Sequence, residues 1–435
     1  MPNSSAFVRS EILPPKAPPV TEAGAVKWLR ENLFSGPLNT ILTAIGLGVV
    51  ALLFWELAPW FWRSVWNAGS LTECRQIIEE RYGPGVTGAC WAVIKERWPQ
   101  YLFGFYPSHL YWRPVLAFVL MCVAVAPVLY SQLPKKMLWF TLLYPAVGFW
   151  LLWGGSIWVP VVALAGLAIG YLAARIVLPI GGAILATIAA IVLPVIWWVV
   201  LAYPVELALE SIIPASIEQV RSREFGGFVL AFTIGFTAIA FSLPLGILLA
   251  LGRQSDMFIV NKLSVGFIEF IRGVPLITLL FTASLLLNYF LPPGTDFDII
   301  LRVIIMVTLF AAAYIAEVIR GGLAALPKGQ YEAADSLGLD YWKATRLIIM
   351  PQALKISIPG IVSTFIGLFK DTTLVVFVGL LDPLKGITDA VRASTDWKGI
   401  YWEPYIFVGT IFFLICFGMS RYSMYLERKL KTDHR

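Results

Sequence analysis

The sequence predicts an all-α integral membrane protein of about ten transmembrane helices, and three observations predict it. Of 435 residues, 58% are hydrophobic and only 14% charged, whereas a soluble domain of this size carries about a quarter charged residues. The apolar residues gather into runs of 17–28, and about 20 such residues at 1.5 Å each cross the hydrocarbon of a bilayer. Lys and Arg divide unevenly between alternate loops, as they do when one side stays cytoplasmic. The net charge of +6 follows from that bias and calls for no nucleic acid.

Residues 1–38 are polar and Pro-rich (ILPPKAPPV), which reads as a tail rather than a signal peptide. Spans are predicted at 39–58, 114–131, 137–153, 158–178, 183–203, 225–252, 274–291, 299–320, 356–380 and 404–424. Pro244 and Pro275 interrupt spans, which is tolerated where neighbouring helices satisfy the freed carbonyls. With the N-terminus inside, the inner loops carry 19 Lys/Arg and the outer loops 10. The short outer loops decide the orientation: GGSI has no cation, and PPGTDFD has two Asp and no cation. Both termini, including a tail at 425–435, are then predicted cytoplasmic.

The outer loop at 59–112 is rich in Trp, Tyr, Gly and Pro (WFWRSVWNAG, FGFYPSHLYW). Its aromatics suit the membrane–water interface or a docking face for an external partner. Cys74 and Cys90 share this loop, and in an oxidising compartment they can form a disulfide or remain free thiols. The segment at 204–224 has helical spacing and is expected to lie flat on the membrane before the next span. The glycines of GFVLAFTIGF and LGILLALG suit close helix packing. The chain divides near residue 220, into a five-span extension (39–220) and a second half (221–424) that carries nearly all the motif-like sequence.

Chemistry is sparse. Cys122 and Cys416 lie in apolar runs, and His109 and His434 stand apart from any nucleophile. No Cys/His cluster has metal-ligand spacing, so no metal and no catalytic residue is assigned. The dipeptide Gly-Lys does not occur, so a Walker A sequence is excluded. Energy for uphill transport must come from an ion or from another chain.

The stretch GQYEAADSLGLDYWKATRLIIMP (329–351) bears on that choice. Gln330–Leu337 is helix-prone, and Gly338 suits the residue just past a helix end. Asp340 suits the N-cap of a second helix at Tyr341–Met350, which Pro351 is expected to close. The polar face mixes Glu332, Asp335 and Asp340 with Lys328, Lys343 and Arg346. A helix lying on anionic lipid prefers a cationic face, so this mixture suits a protein socket better.

These residues resemble the EAA signature of ABC-importer permeases. Glu332, Ala333, Ala334, Gly338, Ile348 and Pro351 match it in type and spacing, with Met350 in place of the usual Leu. FIRGVPLITLLF (270–281), AAYIAEVIRGGLAALPKGQYEAA (312–334), PQALKISIPG (351–360) and LFKDTTLV (368–375) are similar to motifs of the polar-amino-acid permeases. Thr278 and Thr373 depart from the usual Gln and Ser. The resemblance covers about 225–424 and implies a five-helix type I ABC-importer permease core. It further implies that 329–351 forms coupling helices for a cytoplasmic ABC ATPase dimer, which would hold ATP and Mg. Glu332 would be the polar anchor, Ala333 and Ala334 the close-contact face and Gly338 the turn. The first half resembles, in length and layout, the larger permease subunit of general L-amino-acid importers. A second, related permease, a periplasmic amino-acid-binding protein and a bacterial inner (plasma) membrane location are implied with it.

Several ionisable or motif residues lie in or beside these spans: Glu269, Arg272, Gly273, Pro275, Glu317, Arg320, Lys370, Asp371 and Thr372. Charge at membrane depth is costly, so such groups pair or face a polar path. Lys370 and Asp371 therefore read either as a structural ion pair or as a point where a zwitterionic substrate is met. The leading function is a permease subunit of an ATP-driven importer of polar L-amino acids working by alternating access. The alternative is an ion-coupled secondary transporter with Lys370 and Asp371 as its ion-linked pair.

Overall fold

Long apolar runs fold as helices because lipid offers no partner for backbone N–H and C=O groups. The computed structural model describes residues 24–130, 132–286, 289 and 298–430. Residues 1–23 of the tail, residues 292–297 of PPGTDFD, part of the predicted 274–291 span, and 431–435 with His434 lie outside the described residues. The chain forms two units, one of residues 24–68 and 72–91, the other of 69–71 and 92–430.

In the first unit, α1 (Gly24–Asn32) precedes α2 (Pro37–Trp62). The tail thus contains a helix that its polar, Pro-rich composition does not suggest. Thr43 of α2 donates to the Leu33 carbonyl at 2.8 Å, which turns the chain back along the start of the span. Beyond α2, the loop at 59–112 carries α3 (Leu71–Tyr82). A disulfide between Cys74 of α3 and Cys90, with Cα atoms 6.1 Å apart, closes it. Trp91 stacks with Phe61 and Trp66 beside it.

In the second unit, α4 (Ala92–Phe103), α5 (Trp112–Leu129) and α6 (Leu138–Trp153) lead to α7 (Trp158–Ile196). The helix α7 is not one rod: Gly182 has φ +72°, a left-handed conformation that glycine adopts at little cost. The chain reverses there. Trp197 and Trp198 donate their indole N–H groups to the Val162 and Ala163 carbonyls at 2.9 and 3.0 Å. Short strands β1 (Gly155–Ser156) and β2 (Ser216–Ile217) close the open end of this hairpin. Its second arm continues through a π turn into α8 (Ala202–Ile212). The segment expected to lie flat at 204–224 is divided: 204–212 continue the second arm as the end of α8, and 213–224 hold β2 and a short turn at Ser222–Glu224.

Next come α9 (Gly227–Arg253), α10 (Phe258–Gly273), α11 (Leu276–Phe281) and α12 (Ile299–Ala324). Eight helical segments among the described residues are long and apolar enough to span a bilayer, and α10 with α11 forms a further pair bent by 103°. Counting both arms at Gly182, and the bent pair as one, gives ten candidate crossings by length and composition among the described residues. The predicted span at 274–291 begins where α11 does, just past the bend. Val274 is extended because it precedes a proline, so Pro275 starts α11 instead of lying inside a span.

The core lies along α9 and α12. A Cβ on Gly246 would stand 2.6 Å from Ile315 and 3.1 Å from the Ala312 carbonyl, so glycine lets the two backbones approach. Ile234, Ile300, Val303 and Val307 are fully buried there, and Tyr106, Leu151 and Leu152 from the first half share the cluster. Three short helices, α13 (Lys328–Ser336), α14 (Tyr341–Ala344) and, further on, α16 (Thr388–Arg392), alternate with the long α15 (Met350–Asp371) and α17 (Trp402–Leu430).

Candidate functional site

The helix α13 ends as its sequence dictates. Gly338 takes φ +66°, its N–H reaches the Asp335 carbonyl at 2.9 Å, and the Leu339 N–H reaches Ala334 at 3.3 Å. This pair of bonds is the Schellman closure, which satisfies carbonyls that the helix leaves open. Asp340 caps α14 by accepting the Lys343 N–H at 3.0 Å. Its carboxylate also pairs with the Lys343 ammonium at 2.9 Å, and these bonds hold its pKa below the ordinary aspartate value.

Two expectations for this element are corrected. Pro351 closes no helix. A π turn at Thr345–Ile349 leads straight into α15, where Pro351 is the second residue and the helical run continues through it. Nor do Ala333 and Ala334 share one outer face. Adjacent residues of a helix point about 100° apart, so Ala333 is exposed while Ala334 is 1% exposed and packs inward. Glu332 is exposed.

Sequence reasoning missed the exposed apolar residues of this stretch. Leu337, Tyr341, Trp342 and Leu347 are 72%, 56%, 68% and 64% exposed, an apolar surface on an otherwise polar segment. Gln352 was also missed. Its side-chain amide donates to the Gln330 side chain at 2.8 Å and to the Ile348 carbonyl at 2.9 Å. It therefore fastens α13 to α15.

Behind this element lies a cluster of charges. Glu317 of α12 accepts from Arg320 at 2.8 Å and from Arg253 of α9 at 3.1 Å, and it lies 3.6 Å from the Arg272 guanidinium of α10 as an ion pair. Arg253 also holds Glu269 at 2.9 Å. The pairing is thus across helices: Glu269 meets Arg253, and Arg272 meets Glu317. In sequence Arg253 is only one more cation of an inner loop, and nothing local marks its partners. Gly273 adjoins the bend, where a Cβ would meet nothing within 4 Å.

Lys370 and Asp371 form no ion pair with each other. Being adjacent on α15 they diverge, Lys370 to the exposed surface and Asp371 to a half-buried position. Asp371 lines a cavity of about 250 Å³ between α12 and α15, together with Tyr314, Thr364, Phe310 and Leu368. That volume is just below the roughly 300 Å³ at which small-ligand pockets begin, so it suits a molecule of a few heavy atoms. Thr372 turns away from it, fully buried, and donates to the Phe369 carbonyl at 2.7 Å.

The binding-protein-dependent transport system inner membrane component family matches residues 242–432. Over 433 residues, the chain is 66% identical to the glutamate/glutamine/aspartate/asparagine transport system permease protein BztC of Rhodobacter capsulatus, covering 100% of both chains. It is 38% identical to the inner membrane amino-acid ABC transporter permease protein YhdY of Escherichia coli, covering 96% of each. The probable glutamine ABC transporter permease protein GlnP of Bacillus subtilis is 32% identical over 46% of this chain and 90% of its own length. Relatives that match from end to end, together with spans, an EAA element and no Lys370–Asp371 pair, leave the ion-coupled alternative without support. The chain belongs to the inner-membrane permeases of amino-acid ABC transporters and serves as a transport subunit of such a system.

Proposed function

We propose that this permease imports glutamate, glutamine, aspartate and asparagine by ATP-driven alternating access. The observation that carries the substrate class is end-to-end identity of 66% to a permease named for those four amino acids. ATP and Mg belong to a cytoplasmic ABC ATPase dimer, since this chain has no Gly-Lys from which to build a Walker A loop. A periplasmic binding protein delivers the amino acid, and a second, related permease completes the path. Both termini face the cytoplasm of a bacterium, in keeping with the Lys/Arg bias of the loops.

The segment from Lys328 to Ala344 is the grip on the ATPase. Glu332 supplies its charge, Ala333 and the exposed Leu337, Tyr341 and Trp342 its contact surface, and Gly338 its fixed bend. Pro351 starts the span that carries the motion onward. The cavity at Asp371 is where the amino acid passes. A carboxylate there meets the substrate ammonium, and the exposed Lys370 can meet a carboxylate. Lipid is a costly neighbour for Lys370, which favours a polar path shared with the second permease. The family core spans 221–424, and 39–220 is an extension to it.

The test is uptake by the purified complex in vesicles, with its ATPase and binding protein. Glutamate, glutamine, aspartate and asparagine are expected to stimulate ATP hydrolysis and to accumulate, while arginine and histidine do neither. Uptake that survives a hydrolysis-dead ATPase and follows membrane potential would overturn the reading.

A further inference from the structure

We propose that Arg272 is a positioning residue that links occupancy of the Asp371 cavity to the charge cluster behind the ATPase grip. The proposal rests on the cavity reading above. Arg272 stands at the end of α10, immediately before the 103° bend into α11. Its guanidinium has two neighbours, both on α12. The carbon Cζ lies 5.6 Å from the centroid of the Tyr314 ring, and Nη1 lies 3.6 Å from Glu317. Tyr314 and Glu317 are three residues apart and so share one face of the helix.

Tyr314 is itself a wall of the cavity, and Asp371 is another. A ligand that enters therefore meets the ring against which Arg272 lies. Of the three arginines on Glu317, Arg272 makes the longest contact, 3.6 Å against 3.1 and 2.8 Å. Its Nε is buried and has no acceptor among the described residues. Arg253 and Arg320 hold Glu317 at shorter range, while Arg272 touches the ring and the carboxylate at once. The helix α12 continues from Glu317 to Ala324, and α13 begins at Lys328, so a shift at Glu317 reaches the grip within about two helical turns. The bend moves with it, because Ile271 and Leu279 on its two sides pack on Ala313 and Phe310 of α12.

The complete complex, reconstituted with its binding protein, tests this with glutamate as probe. Arg272→Gln is expected to lower the ratio of glutamate-stimulated to basal ATP hydrolysis at least fivefold, with the KM for uptake changed less than twofold. Arg272→Lys keeps the cation and is expected to recover at least half of the ratio. Tyr314→Phe keeps the ring and its ratio, and Tyr314→Leu loses it. An Arg272→Gln complex whose ratio stays within twofold of the parent overturns the proposal, as does an Arg272→Lys complex no better than Arg272→Gln. Asp371→Asn reports on the cavity separately through a raised KM. If its KM is unchanged while Arg272→Gln still loses the ratio, the sensing role is overturned and Arg272 belongs to the charge cluster alone.

Discussion

The side chains of Gln330 and Gln352 are joined by a hydrogen bond of 2.8 Å between α13 and α15, although 22 residues separate them. This bond ties the element proposed to grip the ATPase to the long helix that follows it. A part-buried side-chain bond of this kind contributes about 1 kcal/mol, enough to shift a two-state equilibrium roughly fivefold. Gln352→Leu is therefore expected to leave the permease inserted and the complex assembled while lowering uptake per ATP hydrolysed several-fold. Parallel uptake and phosphate-release assays measure this, and an unchanged ratio would remove the bond from the coupling path.

At Gly338 the backbone, and not space, sets the constraint. A Cβ there would meet nothing within 4 Å, yet φ is +66°, a conformation that costs an L-residue about 1–2 kcal/mol. Asn tolerates this region, so Gly338→Asn should retain uptake within about twofold, whereas the β-branched Gly338→Val should lose at least tenfold. Gly338→Asp separates charge from conformation. Asp also tolerates the left-handed region, so its expected loss of uptake and ATPase recruitment reads a socket that rejects a carboxylate added to Glu332, Asp335 and Asp340. Uptake alongside pull-down of the ATPase distinguishes the three variants.

How far the sequence shows these features depends on the range of the interaction. Gly338 and Asp340 are legible because caps are local: the residue types that close and open helices act within three or four positions. The spans are legible because lipid demands about 20 apolar residues wherever a helix crosses. Pro351 misleads because a proline after a helical run looks alike whether the helix stops or absorbs it through a π turn. The inward turn of Ala334 is equally hidden, since its neighbour Ala333 has the same side chain. Arg253 and Glu317 are 64 residues apart, and only the packing of α9 on α12 brings them together. The Asp371 cavity belongs to the same class, because its walls come from two helices whose register the pattern leaves open.

The disulfide gives a prediction of stability in the outer loop. Cys74 and Cys90 are 16 residues apart in sequence and 0% and 1% exposed. Closing a loop of that length restricts the unfolded chain by about 3 kcal/mol on the chain-entropy account. An impermeant maleimide is expected to modify neither cysteine until a reductant is added. A Cys74→Ser/Cys90→Ser protein should exchange amide hydrogens across 63–91 about a hundredfold faster, a factor equal to roughly 3 kcal/mol. Labelling without reductant would show that the bond is not formed in the membrane protein.

Asp382 sets a pH dependence on the same chain beyond the end of its span. Its carboxylate accepts the N–H groups of Leu384, Lys385 and Gly386 at 2.8, 3.1 and 2.9 Å, which favours the charged form. Burial outweighs them and pushes its pKa above the ordinary 3.8, with Asp389 adding to the rise. A folded-state pKa above the unfolded one means that the fold holds the proton more tightly. Stability from this group therefore rises as pH falls from neutral through the folded pKa, and the gain levels off below 3.8. Asp382→Asn keeps one acceptor oxygen and cannot ionise, so its Tm should lose that part of the pH slope. Asp382→Ala should instead lower stability at every pH by about 2 kcal/mol, because buried N–H groups lose their acceptor. Thermal unfolding of the three proteins between pH 4 and 8 decides the matter. Parallel Tm curves for the parent and Asp382→Asn would place the titration outside this carboxylate.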